Sequence, residues 1–175
     1  LVTNMPRHSA VGNGAAEVHT IEHFAASLLA LGIDNLEVEI DGPEIPGMDG
    51  SGLPFVDALR KAGRAEQKAP RKLFRLDETV AIQNGDSSIV AFPSEEGLRV
   101  SYTLSYPEIE GLRSQHVALD IEEDRFIADI APARTFCLES EARALQDAGY
   151  GKGANTRNTL VIGEQGLVEN TLRFD

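Results

Sequence analysis

The sequence predicts an α+β protein, and three observations support this class. Apolar residues with helical spacing run from Ile21 to Leu31, and a second helix-like segment covers 53–63. Alternating apolar and polar residues, typical of strands, follow the first helix at 35–40. Several more alternating segments precede a third amphipathic helix at 138–149. Helices and strands therefore occur in two successive halves, which favours layers built from both kinds of element.

Bulk composition restricts the class of partner. The 175 residues, 42% of them hydrophobic, suffice to bury a core. A net charge of −12 argues against nonspecific nucleic-acid binding, which needs clustered Lys and Arg. Cys137 has no second cysteine to pair with, fits a reducing compartment and is expected to be a small packing residue. No apolar run reaches the roughly 18 residues that a membrane span needs.

The first half opens with a weakly patterned stretch, residues 1–18. The first helix is then predicted to begin at His19 or Thr20, with Thr20 as its N-cap, and to end at Gly32. The following "NLEVEI" at 35–40 predicts a strand with one buried face.

The stretch "DGPEIPGMDGSG" at 41–52 is rich in Gly and Pro and predicts an ordered turn. We expect it to bury Ile45 and Met48 and to use Asp49 to bind local N–H groups. The helix at 53–63 follows directly.

A polar stretch near 65–72 marks a predicted boundary between two domains, 1–68 and 69–175. Segments with strand character follow it, at 73–83, 87–93, 98–107 and 116–122. The "NGD" at 84–86 predicts a hairpin between the first two of them. After the helix at 138–149 come a strand and a loop, at 158–163 and 166–174.

The stretch "HTIEH" supports two interpretations. On a helix, His19 and His23 would lie at i and i+4 with Glu22 beside them, as in the H-x-x-E-H pattern of zinc peptidases. Alternatively, this is the first turn of an amphipathic helix, where the helix dipole favours Glu22. The residues alone leave both open.

Other polar clusters give weaker indications. Three carboxylates near the turn have the chemistry of a hard-cation site but not EF-hand spacing, so a backbone role is favoured: Asp41, Glu44 and Asp49. Thr135, beside Arg134 and ahead of a helix, fits loop structure and capping. "GYGKGAN" at 149–155 matches neither a Walker loop nor a dinucleotide fingerprint. His116, in an alternating segment, is expected to be structural.

Together these stretches resemble one family. "HTIEHFAASLLALGIDNLEVEIDGPEIPGMDGSGLPFV" closely resembles the signature region of the UDP-3-O-acyl-N-acetylglucosamine deacetylases, zinc amidases that commit bacteria to lipid A synthesis. "ARTF" at 133–136, "GANTRNTLVI" and "LRFD" resemble later segments of that family, in the same order. The resemblance covers essentially the whole chain.

The resemblance implies a fold, a site and a reaction. The fold would be two β-α-α-β domains packed as a two-layer sandwich with the active site between them. His23 would bind Zn²⁺, Glu22 would be the general base toward the water that attacks, and Thr135 would stabilise the oxyanion. Phe136 would lie close to the substrate. The reaction removes acetate from the 2-amino group of a UDP-linked, 3-O-acylated glucosamine, and we expect a cytoplasmic, monomeric enzyme.

Departures from the family pattern add further expectations. The family's other two zinc ligands come from an H-K-x-x-D-type segment expected beyond Asp175, and its opening strands are expected ahead of Leu1. Gly47 stands where the family usually has a larger aliphatic residue, and His19 is expected to start the helix rather than to bind metal. Residues 1–175 alone are therefore expected to be inactive and poorly stable. A non-catalytic binding module is the remaining alternative.

Overall fold

The computed structural model describes residues 2–5, 8–107, 109, 112, 114–147 and 153–173. Up to residue 62 the elements are β1 (Val2–Met5), β2 (His8–Gly12), β3 (Glu17–His19), α1 (Glu22–Ala30) and α2 (Leu53–Ala62). Two hairpins follow, formed by β4 (Val80–Asn84), β5 (Ser87–Ala91), β6 (Arg99–Leu104) and β7 (Gln115–Asp120). The last elements are α3 (Glu123–Arg125) with a π-helical turn (Phe126–Ile130), β8 (Phe136–Leu138), α4 (Glu139–Asp147), β9 (Leu160–Gly163) and β10 (Gly166–Leu167).

The weakly patterned start of the chain forms a three-stranded antiparallel sheet in the order β1-β2-β3. Asn13 stabilises the turn between β2 and β3, because its side-chain oxygen accepts hydrogen bonds from the backbone N–H groups of Ala15 and Ala16. Ala10, in the central strand, is fully buried opposite His19. The central strand meets the start of α1 through Ser9, whose N–H bonds to Glu22.

Helix α1 begins later than predicted. His19 ends β3, and Thr20 has a φ of 57°, outside the helical range, so the expectations that His19 starts the helix and that Thr20 is its N-cap are wrong. Ile21 occupies the N-cap position without a capping side-chain hydrogen bond. The predicted end is confirmed, because Gly32 leaves the helix with a φ of 66°.

The strand predicted at 35–40 is absent, and this prediction is wrong. Its apolar residues are 38–48% exposed: Leu36, Val38 and Ile40. Alternation gives a strand only where a neighbouring strand accepts its backbone hydrogen bonds, and among the described residues this segment pairs with none. Instead the residues just after it bond to His19, whose N–H donates to the Pro43 carbonyl (2.8 Å) and whose carbonyl accepts from Ile45 (3.1 Å). Ile45 is buried as predicted, whereas Met48 is 45% exposed, so that half of the expectation is wrong.

The core lies where α1 and α2 meet. Its buried cluster contains residues of α2 and of the π-helical turn and the residues that directly follow α1 and that turn: Val56, Leu59, Phe126, Leu31 and Ala131. Phe24 of α1 packs edge-to-face on Phe55 of α2, with ring centroids 5.6 Å apart. Helix α2 is confirmed as predicted, with a proline near its start and Gly63 at its end.

The second half confirms the hairpin predicted at 84–86, where Gly85 takes the positive φ that a two-residue turn requires. Strands β8 and β9 are parallel, and α4 connects them. Helices mixed with small, mostly antiparallel sheets confirm the α+β class. The boundary between 1–68 and 69–175 stays a prediction. No helix in the described part of the chain is long and apolar enough to cross a bilayer.

Candidate functional site

Glu22 and His23 form the first turn of α1. The backbone N–H of Ser9, in β2, donates a 3.1 Å hydrogen bond to Oε2 of Glu22. Both side chains are half-buried. Among the described residues, no other group bonds to the Glu22 carboxylate or to the His23 ring. A carboxylate and an imidazole therefore lie side by side at a helix N-terminus with capacity for further partners.

His19 is separated from this pair. It lies at the end of β3, where its Nδ1 is 3.2 Å from Nε2 of His8 and the two rings meet edge-to-face. Since His19 is in a strand and His23 is in a helix, the i, i+4 relationship that the H-x-x-E-H interpretation requires does not exist. That interpretation of the motif is wrong.

Thr20 links the end of β3 to the following turn. Its hydroxyl donates a 2.7 Å hydrogen bond to Oε1 of Glu44. Thr20 and Glu44 are 24 residues apart, and neither belongs to the predicted site. Nothing in the sequence around Thr20 signals this contact. In sequence, a threonine just before a helix indicates an N-cap instead.

A buried serine connects α1 to the turn at 49–52. The Ser27 hydroxyl donates to the His23 carbonyl at 2.8 Å and lies 3.3 Å from the Gly52 carbonyl. Ser27 is fully buried. The turn is thus anchored one helical turn beyond Glu22 and His23.

Asp49 organises that turn. Its Oδ1 accepts hydrogen bonds from the N–H (3.1 Å) and the hydroxyl (2.8 Å) of Ser51, which confirms the predicted local role. Its Oδ2 lies 2.6 Å from a guanidinium nitrogen of Arg173. Burial raises the pKa of Asp49, but the hydrogen bonds from Arg173 and Ser51 outweigh burial and hold that pKa below its ordinary value. Asp49 is therefore a charged anchor in the turn.

Thr135 is held against the same turn. Its backbone N–H donates to the Gly50 carbonyl at 2.8 Å, and its own carbonyl accepts from Leu160 at 3.0 Å. Ser51 and Arg134 form an antiparallel bridge next to it. The Thr135 side chain is exposed, and in the described part of the chain its hydroxyl has no hydrogen-bond partner. Strand β8 lies between Thr135 and helix α4.

Phe136 begins β8 and is half-buried. It packs edge-to-face on Tyr106, with ring centroids 6.1 Å apart. Tyr106 was not predicted as a site residue; its one sequence signal is an aromatic residue before a proline at the end of a strand segment. The structure thus places an aromatic pair beside Thr135.

The described residues do not form a metal site by themselves. They contain no group of three or more His, Cys, Asp or Glu side chains that could hold a metal ion. Zinc in catalytic sites has three protein ligands, so a zinc ion bound through His23 needs ligands from outside these residues. The loop noted at 149–155 also lies largely outside them.

Comparison with known proteins places these residues in a family. A sequence model described as UDP-3-O-acyl N-acetylglycosamine deacetylase matches residues 1–175. The bifunctional enzyme LpxC/FabZ of Chlorobaculum tepidum is 39% identical over 98% of this chain and 37% of its own length. The UDP-3-O-acyl-N-acetylglucosamine deacetylases of Citrifermentans bemidjiense and Chlamydia pneumoniae are 37% and 38% identical, over 99% and 96% of this chain and 56% and 60% of their own lengths. The chain spans about half the length of the curated relatives it matches. The chain belongs to the UDP-3-O-acyl N-acetylglycosamine deacetylase family.

Proposed function

We propose that the protein containing this chain hydrolyses the N-acetyl group of UDP-3-O-acyl-N-acetylglucosamine, the committed step of bacterial lipid A biosynthesis. One observation carries the proposal: the paired Glu22 and His23 begin α1, and the turn anchored to that helix through Ser27 holds Thr135. The names of the relatives supply the substrate. The single Cys137 is in keeping with a cytoplasmic site.

His23 fits a zinc ligand. Its imidazole is half-buried and makes no hydrogen bond with the other described residues, so a ring nitrogen is available to a cation. Bound zinc supplies a Lewis acid that polarises the amide carbonyl and makes water more acidic. The remaining ligands would come from outside the described residues.

Glu22 serves as the general base. The Ser9 N–H fixes one carboxylate oxygen at 3.1 Å and so orients the group, leaving the other oxygen to accept a proton from water. The water oxygen bonds to the acetyl carbon, the C–N bond breaks, and the proton held by Glu22 passes to the departing nitrogen. The second proton of the water also passes to the amine, so the products are acetate and the 2-ammonium group, and atoms and charge balance.

Thr135 and Phe136 complete the site. The Thr135 backbone is fixed from both sides by Gly50 and Leu160, so its exposed hydroxyl is a preorganised donor for the oxyanion that forms when water adds to the carbonyl. Phe136, braced by Tyr106, offers an aromatic surface to the bound substrate.

Turnover by the intact, zinc-loaded protein tests the proposal. We expect acetate release from UDP-3-O-acyl-N-acetylglucosamine, loss of release after chelation and recovery on adding zinc. Glu22→Gln should lower kcat by about 10²- to 10⁴-fold, whereas the control Glu37→Gln, at an exposed position in an irregular segment, should not. A zinc-loaded, folded wild-type protein that releases no acetate would contradict the proposal. That result is the one expected of a non-catalytic binding module.

A further inference from the structure

We propose that Thr20 and Glu44 are a positioning pair that aims the first turn of α1, and with it Glu22 and His23; this rests on the proposed function. The starting observation is the backbone of Thr20, whose φ of 57° lies in the left-handed region. A β-branched residue is poorly suited to that region, which favours Gly, Asn or Asp. Such a conformation persists only where surrounding contacts hold it, and it is concentrated at functional sites.

The contact that holds it is the hydrogen bond to Glu44. The Thr20 hydroxyl and Oε1 of Glu44 are 2.7 Å apart, the length expected for a hydroxyl donating to a carboxylate. The backbone on either side of Glu44 is itself fixed, because the Pro43 carbonyl and the Ile45 N–H both bond to His19. The acceptor is therefore built on a segment joined to the residue just before Thr20.

The consequence reaches the site within two residues. Only Thr20 and Ile21 lie between β3 and α1, so the φ of Thr20 sets the direction in which the helix leaves the strand. Ile21 donates to the Ser9 carbonyl at 3.3 Å, and the Ser9 N–H donates to Glu22 at 3.1 Å. Without the Glu44 bond, Thr20 can relax to an ordinary negative φ, which turns the first turn of α1 away from β2 and separates Glu22 from Ser9.

Four variants of the intact, zinc-loaded protein separate positioning from folding. Thr20→Val removes the hydroxyl and keeps the shape, whereas Thr20→Gly removes the hydroxyl and also removes the steric cost of the positive φ, so it should fold. Both should lower kcat by about 10- to 100-fold, with a smaller change in KM, because the base is misplaced while remote substrate contacts remain. Thr20→Ser keeps the hydroxyl donor, and Glu44→Gln keeps an oxygen acceptor. Each of these two variants should therefore retain most of the wild-type activity. The control Thr103→Val removes a similar exposed hydroxyl, which contacts His116 in the β6–β7 hairpin, and should leave kcat unchanged.

Amide exchange at Ser9 gives a readout that does not depend on activity. In the wild type the Ser9 N–H donates a hydrogen bond to Glu22. Thr20→Val should raise the rate of hydrogen exchange at this N–H, while the urea unfolding midpoint stays close to that of the wild type. Thr20→Val combined with Glu44→Leu should be no worse than either single substitution, since both remove the same bond.

The outcomes distinguish the two proposals. If wild type releases no acetate, the proposed function fails, and Ser9 exchange alone then decides the positioning role. If wild type is active while Thr20→Gly and Thr20→Val retain its kcat and its Ser9 protection, the positioning role is wrong and the proposed function stands. Additive losses in the double variant would also overturn the pairing.

Discussion

The amide of Thr135 donates a 2.8 Å hydrogen bond to the carbonyl of Gly50, and this contact joins two distant parts of the chain. Gly50 has a φ of 87°, and a Cβ placed on it would lie 2.0 Å from the carbonyl oxygen of Asn158. Three backbone segments therefore meet at a residue that cannot carry a side chain. The position of Thr135 depends on that close approach.

Gly50→Ala is expected to destabilise the intact protein by about 3 kcal/mol or more, because a positive φ and a backbone clash both oppose the new methyl group. The urea unfolding midpoint measures this effect. Gly14→Ala is the matched control: Gly14 has the same φ of 87°, but nothing lies within 4 Å of its added Cβ. That control should show only the backbone cost of ~1–2 kcal/mol. Equal effects at both positions would mean that the Asn158 contact is unimportant.

Gly47→Ala should do the opposite. Gly47 is not in the left-handed region, and an added Cβ would meet only the side-chain nitrogen of Asn158, at an ordinary 3.7 Å. The unfolded chain loses conformational entropy, so we expect stabilisation by about 0.4–1 kcal/mol in the same urea measurement. This result would explain how the turn accommodates the larger aliphatic residue that the family usually has at this position. A lowered midpoint would show that the turn needs the glycine after all.

Asp49→Asn should destabilise the protein at neutral pH and have a shrinking effect as the pH falls. The folded-state pKa of Asp49 lies below the ordinary 3.8, because hydrogen bonds from Arg173 and Ser51 outweigh burial. A depressed carboxylate pKa contributes stability that is fully present above the unfolded-state pKa and is lost as the pH falls through the folded-state pKa. The difference in urea midpoint between wild type and Asp49→Asn should therefore be largest well above the ordinary pKa of 3.8 and should shrink as the pH falls below it.

One control substitution and one contrary outcome complete the Asp49 prediction. Asp34→Asn is its control, since that carboxylate also pairs with an arginine, Arg71, but is 53% exposed, and it should change the midpoint little at any pH. A midpoint difference at Asp49 that is independent of pH would show that its charge does not contribute.

Arg64 should matter more to stability than Arg60, although both bind Glu123. Arg64 donates to the Leu31 carbonyl at 2.6 Å as well as to Glu123 at 2.7 Å, whereas Arg60 makes a single 3.2 Å contact with Glu123. Arg64→Ala leaves the Leu31 carbonyl without this donor and should cost about 1–2 kcal/mol. Arg60→Ala should cost less than about 0.5 kcal/mol. Thermal unfolding of the two variants measures the contrast, and the reverse order would contradict it.

Local signals predicted some elements well. The second helix is marked by Pro54 near its start and Gly63 at its end, and the β4–β5 hairpin by its two-residue turn; both depend on residues adjacent in sequence. The prediction of a strand at 35–40 was wrong because an alternating pattern carries no information about whether a partner strand exists. The predicted start of α1 was wrong because the Thr20 hydroxyl bonds to Glu44, a contact between distant parts of the chain.

The site shows the same division. Glu22 and His23 are adjacent and stand out in the sequence, and resemblance to the family predicted Thr135 and Phe136. The groups that fix those residues in place were not predicted: Ser9, Ser27, Glu44 and Tyr106. Each acts through a backbone atom, a buried hydroxyl or a contact between distant segments, and such contacts leave no periodic pattern.

The most direct test compares the two histidines of the HTIEH stretch, His19 and His23. In the intact protein, His23→Ala should weaken zinc binding by more than about 100-fold, since removing a ligand costs more than removing an outer-shell partner, and deacetylation should fall with it. His19→Ala removes only the contact with His8 and should keep both zinc and activity near wild type. The measurement is zinc affinity by chelator competition beside the rate of acetate release. Loss of zinc in His19→Ala, or retained zinc and turnover in His23→Ala, would contradict the account.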